Sequence, residues 1–437
     1  MTTTQTADPR RSAPPGSSVL RIRDFRYLFA AAVASTFGVE IGQLALPLVA
    51  IIALDAGAGQ VGLLATFTTV AFLVIGLPSG ALIDRLRKRP VMIAADLVRA
   101  ALLGWVPLAW WLDLLAIEQL YAVALLVGAG TVFFDVAALS LLPHVVGRDR
   151  LVGANSALSG LRATAGVAGP AAGGGLVALL TAPLAVLANA VGFVASAVLL
   201  AGVRRPEPRL VRPDRPRLLP EIAEGVRYLA GHPVLRPIAL QGALANLSIV
   251  VVTILMPLLF VRELALSGAA VGLFFAGGGA GVFLGATLAR RVADRVGTGR
   301  TLWLLGLAVV PFGLVVPLAG TAIPVWAATA GWAVVTFKVG IDNVLLVTFR
   351  QRVTPDRLLG RVNATFRTAL TGALAVGAGL AGLAGELLGI RPALWLGAAG
   401  LALVWVPIFC SGLRTMRDLP LPDPAQADPA QAEPAGR

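Results

Sequence analysis

Twelve apolar runs, each about as long as a lipid bilayer is thick, set the limits on what this chain can become. A hydrocarbon core of ~30 Å takes about 20 apolar helical residues to cross. Runs of that kind fall at 27–54, 60–83, 90–112, 119–142, 160–180, 183–203, 236–261, 269–289, 301–320, 322–347, 368–389 and 392–413. The expected fold class is an all-α multi-pass membrane protein. A mean hydropathy of +0.83 and a 14% share of charged residues over 437 positions agree, because so little polar material cannot cover a soluble globule.

Placing the charges removes the nucleic-acid reading that a net charge of +13 invites. Of the 36 lysines and arginines, 32 fall in the two tails and in alternate gaps, and Arg262 and Arg391 lie on the opposite side. By the positive-inside rule this predicts a multi-pass cell-membrane protein with both termini cytoplasmic. The N-terminal segment lacks the apolar core of a signal peptide. Residues 1–26 and 414–437 are expected to be disordered tails. Between them lie a six-helix bundle over 27–203, a cytoplasmic loop over 204–235 and a second six-helix bundle over 236–413. In that loop LLPEIAEGVRYL has the apolar spacing of an amphipathic surface helix.

Several classes of chemistry drop out. The lone Cys410 cannot form an internal disulfide, and with His144 and His232 it offers no zinc, haem or iron–sulfur ligand set, so no metal or other cofactor is expected. GAGQVG at 57–62 and GAGLAG at 377–382 satisfy GxGxxG but follow no strand, and GxxxxGK[ST] is absent, which argues against ATP-driven pumping.

The two halves repeat. FFDVAALSLLPHVVGRDRLVG at 133–153 aligns without gaps on GIDNVLLVTFRQRVTPDRLLG at 340–360, an offset of 207 that carries Asp135 onto Asp342. Gly169, Gly174 and Gly192 fall on Gly377, Gly382 and Gly400 once one residue is inserted. Such duplication is the mark of a transporter, and a membrane enzyme has no need of it.

RDFRYLF at 23–29, GALIDRLRKRPVMIAADLVRA at 80–100, ANSALS at 154–159, GPAAGG at 169–174 and FRQRVTPDRLLGRVNATFR at 349–367 occur in a specific order and spacing. On these the chain resembles the drug-exporter branch of the major facilitator superfamily, which includes enterobactin-exporter-like and macrolide-efflux-like proteins. The resemblance implies two pseudo-symmetric six-helix bundles, alternating access, and a central cavity lined by the first, fourth, seventh and tenth spans. It also implies a cytoplasmic gate at Gly80, Asp84 and Arg85, mirrored by Asp294 and Arg295. Arg87 and Arg290 replace glycines of that motif, and the fourth span lacks the arginine many relatives carry. In GPAAGG, the resemblance associates Gly169, Pro170, Gly173 and Gly174 with proton antiporters, while helix packing explains them equally well.

The remaining ionisable residues inside the spans are costly to insert and so should face a cavity or a partner. They are Glu40, Asp96, Arg99, Asp135, Lys338 and Asp342. Asp96 and Arg99 read as a structural pair beside the cytoplasmic gate. Lys338 and Asp342, four apart on one helix face, read either as an internal ion pair or as cavity groups. Glu40 has no basic neighbour in its span, lies ~20 Å along the helix, and is the first choice for a proton-coupling carboxylate, with Asp135 and Asp342 as further candidates. Asp135 is either a second protonation site or the partner of Lys338 across the cavity. Gln43, Phe37, Phe134, Asn246 and Lys338 are the candidate substrate contacts, and Phe133 and Phe337 could add apolar wall.

The expected function is secondary transport, proton-coupled efflux of small amphipathic or cationic organic compounds by a monomer. An importer or uniporter of one metabolite on the same fold is the alternative, and a membrane sensor or assembly partner is an alternative of another class.

Overall fold

The computed structural model describes residues 19–83, 86–204 and 218–416, which are helical almost throughout. The first half comprises α1 (Arg23–Ala53), α2 (Ala58–Ile83), α3 (Lys88–Trp111), α4 (Ile117–Val146), α5 (Leu151–Leu179) and α6 (Ala182–Ala201). After α7 (Leu218–Gly231) the second half follows as α8 (Leu235–Leu258), α9 (Gly268–Val296), α10 (Thr298–Ala308), α11 (Val310–Val315), α12 (Val325–Val353), α13 (Asp356–Leu388), α14 (Ile390–Leu403) and α15 (Val406–Phe409). Helices dominate because lipid offers no partner to backbone N–H and C=O groups, and a helix satisfies them within one segment.

Pairs α10–α11 and α14–α15 each make one broken span. Pro311 at the start of α11 and Pro407 at the start of α15 lack the N–H that a continuous helix needs. Eleven stretches among the described residues are long and apolar enough to cross a membrane. The fifth helix, 29 residues long, is not among them, because Gly, Ala and Ser replace larger aliphatic residues along it. Those small residues let it pack closely on α1 and on α9 of the other half.

Several helices outrun their apolar runs. The first begins at Arg23, inside the segment expected to be tail, and α13 begins at Asp356, well before the 368 expected for its span. Arg367 therefore stands on a helix and not in a loop, and Arg162, two residues inside its apolar run, stands well within α5. Most other arginines lie at the ends facing the chain termini, here termed the basic side; the opposite face is the far side. Helix α7 lies across the basic-side ends of α12 and α13. Tyr228 donates to the Val353 carbonyl at 3.2 Å, and Glu224 pairs with Arg361.

On the far side the halves close on each other. A Cβ on Gly62 would stand 2.5 Å from Gly382 Cα, and one on Gly174 would stand 2.4 Å from the Gly268 carbonyl oxygen. Only hydrogen side chains allow α2 to meet α13, and α5 to meet α9, so closely. Arg262 donates to Asp55 at 2.7 Å across the same seam, and the Gly59 N–H donates to Glu386 at 3.2 Å. Arg262 stands in a π-helical turn, Leu259–Glu263, whose next residue, Glu263, pairs with Arg391 at 2.7 Å in its own half.

Candidate functional site

Beneath that seam lies a cavity of about 720 Å³ between the halves. Its walls are mostly apolar, with Leu64, Phe72, Phe193 and Phe275 among them; Pro47 of α1 and Pro257 of α8 line it from opposite halves. Its polar groups include Glu40 and Gln43 from α1, Asn189 from α6, and Arg367 and Thr371 from α13. A second cavity of about 340 Å³ continues toward the basic side within the first half, lined by Asp135, Arg99, Arg162 and Phe134. Both cavities are lined by Val39, Glu40 and Thr131, so Glu40 stands where they join.

Helix packing fixes Glu40 there. A Cβ on Gly169 would fall 2.3 Å from Glu40 Cβ, and one on Gly173 would fall 3.3 Å from the Ile41 backbone, so this face of GPAAGG is the bed on which α1 lies. Gly174 points the other way, to α9, and Pro170 lines the central cavity. Half-buried and without an ion pair or hydrogen bond among the described residues, the Glu40 carboxylate is open to whatever enters.

Asp96 and Arg99 form the structural pair that their spacing suggests. They are 0% and 1% exposed, paired to each other inside the first half. The Arg99 guanidinium lies 4.7 Å from the Phe134 ring and 4.0 Å from the Phe193 ring, and donates to Thr131 Oγ1 at 3.2 Å. A cation flanked by two aromatic faces and held by a carboxylate is a structural core. Thr131 also lines both cavities.

Lys338 and Asp342 also resolve as an internal pair. They are buried together, Gln241 of α8 donates to Asp342 at 2.9 Å, and neither lines a cavity. Lys338 is thus not the partner of Asp135. The cations whose field reaches Asp135 are Arg162, Arg99 and Arg367, and Asp135 forms no ion pair among the described residues.

The other expected site residues divide. Gln43 and Phe134 line cavities, whereas Phe37 lines neither and Asn246 donates to the Leu370 carbonyl at 3.3 Å. Phe133 and Phe337 pack against the apolar cores of their own halves. Asp84 and Arg85 lie outside the described residues, and Gly80 is helical in α2. Asp294 is exposed and faces Arg290 of its own helix at 3.9 Å, and Arg295 is exposed. Among the described residues the ion pair that joins the halves is Asp55–Arg262, on the far side.

Asn189 went unnoticed in the sequence. It is 4% exposed, Gly38 and Gly42 of α1 leave room for its side chain, and its Oδ1 has no hydrogen-bond partner. The available signal was a lone amide in a span otherwise almost wholly apolar.

Two helical halves of membrane-length helices closed over a polar-studded cavity have the build of a transporter and not of an enzyme. The chain belongs to the Major Facilitator Superfamily, whose sequence profile matches residues 28–373. It is 29% identical over 425 residues to the enterobactin exporter EntS of Citrobacter koseri, covering 92% of this chain and 95% of that protein. It is likewise 29% identical over 416 residues to the multidrug efflux pump Tap of Mycobacterium bovis, covering 90% and 92%. In fold it is similar to a bacterial homologue of the iron transporter ferroportin in its inward-facing state, with a TM-score of 0.72, 17% identity, and 90% and 99% of the two chains covered.

Proposed function

We propose that this transporter exports small amphipathic organic compounds from the cell in exchange for protons, with Glu40 as the coupling carboxylate. The observation that carries the reading is the position of Glu40 at the junction of the two cavities, without a partner among the described residues. A carboxylate there binds either a proton or the cationic part of a substrate, and each excludes the other. The seam of α2 on α13 and α5 on α9 supports a state closed on the far side, from which rocking of the halves would expose the cavity alternately. The charge asymmetry supports a cell-membrane location with the basic side and both termini in the cytoplasm. Export accords with the printed names of the two relatives, an enterobactin exporter and a multidrug efflux pump. The protein acts as a monomer, each chain holding a whole cavity.

Asp135 is the second protonation site in this scheme, since it lines the smaller cavity and forms no ion pair among the described residues. The test is flux of a fluorescent substrate into everted vesicles under an imposed pH gradient. Glu40→Gln is expected to abolish gradient-driven flux and keep counterflow of substrate. Unchanged flux with unchanged pH dependence would refute Glu40 as the coupling site.

A further inference from the structure

Arg367 sits among residues whose charges serve to orient the chain, yet it stands on the wall of the central cavity. From Asp356, where α13 begins, it is roughly 16 Å along the helix. It is exposed to the cavity and forms no ion pair among the described residues. A guanidinium cannot shed its proton to escape an apolar setting, as a carboxylate can by gaining one. Facing Phe72, Phe275 and Leu374, it is a permanent cation short of a counter-charge.

The carboxylate across the cavity does not supply that charge by contact. Glu40 belongs to the other half, and no Glu40–Arg367 pair lies within 4.0 Å. Asp135 feels Arg367 only as the last of three cations, after Arg162 and Arg99. Opposite charges therefore face a shared space of about 720 Å³ from opposite halves, with Gln43 and Asn189 beside the acidic end and Thr371 one turn on from the basic end.

Resting on the transporter reading above, we propose that Arg367 is the specificity-determining residue for an anionic group on the substrate. The transported class is then amphipathic zwitterions, with an amine held at Glu40 and a carboxylate or similar anion held by the Arg367 fork. A carboxylate matches that fork in two parallel N–H···O bonds, a geometry that lysine cannot reproduce. An apolar body between the charged ends fills the aromatic wall.

The test uses three probes of one skeleton with the full chain. Ciprofloxacin carries both charges, its methyl ester only the cation, and its N-acetyl derivative only the anion. Equilibrium dialysis against the purified protein measures binding, and proteoliposomes under a pH gradient measure accumulation. The wild-type chain is expected to bind the zwitterion about tenfold or more above the ester, as a site with a dedicated polar partner rejects an analogue lacking it. Arg367→Gln is expected to remove that preference while ester binding is retained, and Arg367→Lys to restore only part of it. Equal wild-type binding of zwitterion and ester, equal loss of both in Arg367→Gln, or binding of none of the three would overturn the proposal. Gradient-driven accumulation of the ester without zwitterion preference defeats the Arg367 assignment and leaves the export reading standing. Zwitterion preference in binding, with no gradient-driven accumulation of any probe, supports Arg367 and defeats proton-driven export.

Discussion

Asp135 and Asp342 occupy equivalent places in the two repeats and keep opposite company. Asp342 is buried with Lys338 and accepts a bond from Gln241, while Asp135 lines a cavity and forms no ion pair among the described residues. The position equivalent to Lys338 at the offset of 207 is Thr131, and the cation that reaches Thr131, Arg99, is taken up by Asp96. Both halves carry a carboxylate at the repeated position, and that of the second half is paired within its own helix.

The same substitution should therefore act differently at the two sites. Asp342→Asn leaves a buried lysine without its counter-charge and is expected to cost about 3–5 kcal/mol. Asp135→Asn should leave stability near wild type and change the pH profile of transport. Thermal unfolding in detergent beside vesicle flux checks both, and equal melting temperatures for the two variants would contradict the assignment.

Arg99→Lys keeps the charge but loses the planar group lying against Phe134 and Phe193. A desolvated cation–π contact is worth about 2 kcal/mol, and a loss of that order is expected in chemical denaturation. A lysine variant as stable as wild type would show that charge alone matters there.

Gly169→Ala pushes a methyl group into the Glu40 side chain, whereas Gly175→Ala meets nothing within 4 Å. Overpacking of this kind costs typically about 1–3 kcal/mol, so the first variant should lose stability and transport together. The second should be neutral or slightly stabilising, because alanine favours the helix over glycine. Flux and melting temperature of the two variants, read side by side, decide the matter.

At the far-side seam, glycine should outweigh charge. Asp55 is 95% exposed in its pair with Arg262, and exposed ion pairs contribute about 0.2–1 kcal/mol. Gly382→Leu, by contrast, cannot coexist with the approach of Gly62. In a Cys410→Ser background with a cysteine at Thr253 on the cavity wall, a membrane-impermeant thiol reagent on the far side should label Gly382→Leu strongly and Asp55→Ala weakly. The reverse order would mean that the ion pair holds the seam.

His232 caps the start of α8, its Nδ1 accepting from the N–H groups of Val234 at 3.2 Å and Leu235 at 3.4 Å. Burial holds its pKa below the ordinary 6.5. The native fold thus favours the neutral ring, and its stabilisation is full above 6.5 and is lost as pH falls through the lowered value. His232→Asn should flatten the pH dependence of stability in that window, which unfolding at stepped pH would show.

Apolar run length made the helices legible, and the spacing of Lys338 and Asp342 made their pairing legible, because both signals lie within one helix. The place of Arg99 was not, since Phe134 and Phe193 reach it from other helices. Arg367 read as a loop charge because α13 starts before its apolar run, where hydropathy falls silent, and Arg162, two residues inside its own run, gave no sign that it faces a cavity. Asn189 took on meaning only once Gly38 and Gly42 lay beside it.

Asp55 and Arg262 do not occupy equivalent places in the repeat: Asp55 and Ala265 share the left-handed turn, φ 50° and 48°, and α2 and α9 start at Ala58 and Gly268. The contact is therefore off the two-fold relation between the halves, and the mirrored pair of positions, Ile52 and Ala265, carries no charge. In an assembly of two identical halves an off-axis contact of this kind would occur twice, once on each side of the axis. With the halves joined in one chain it occurs once, between Asp55 and Arg262. The far-side seam is thus pinned by charge off its centre and by close glycine contact along α2–α13 and α5–α9.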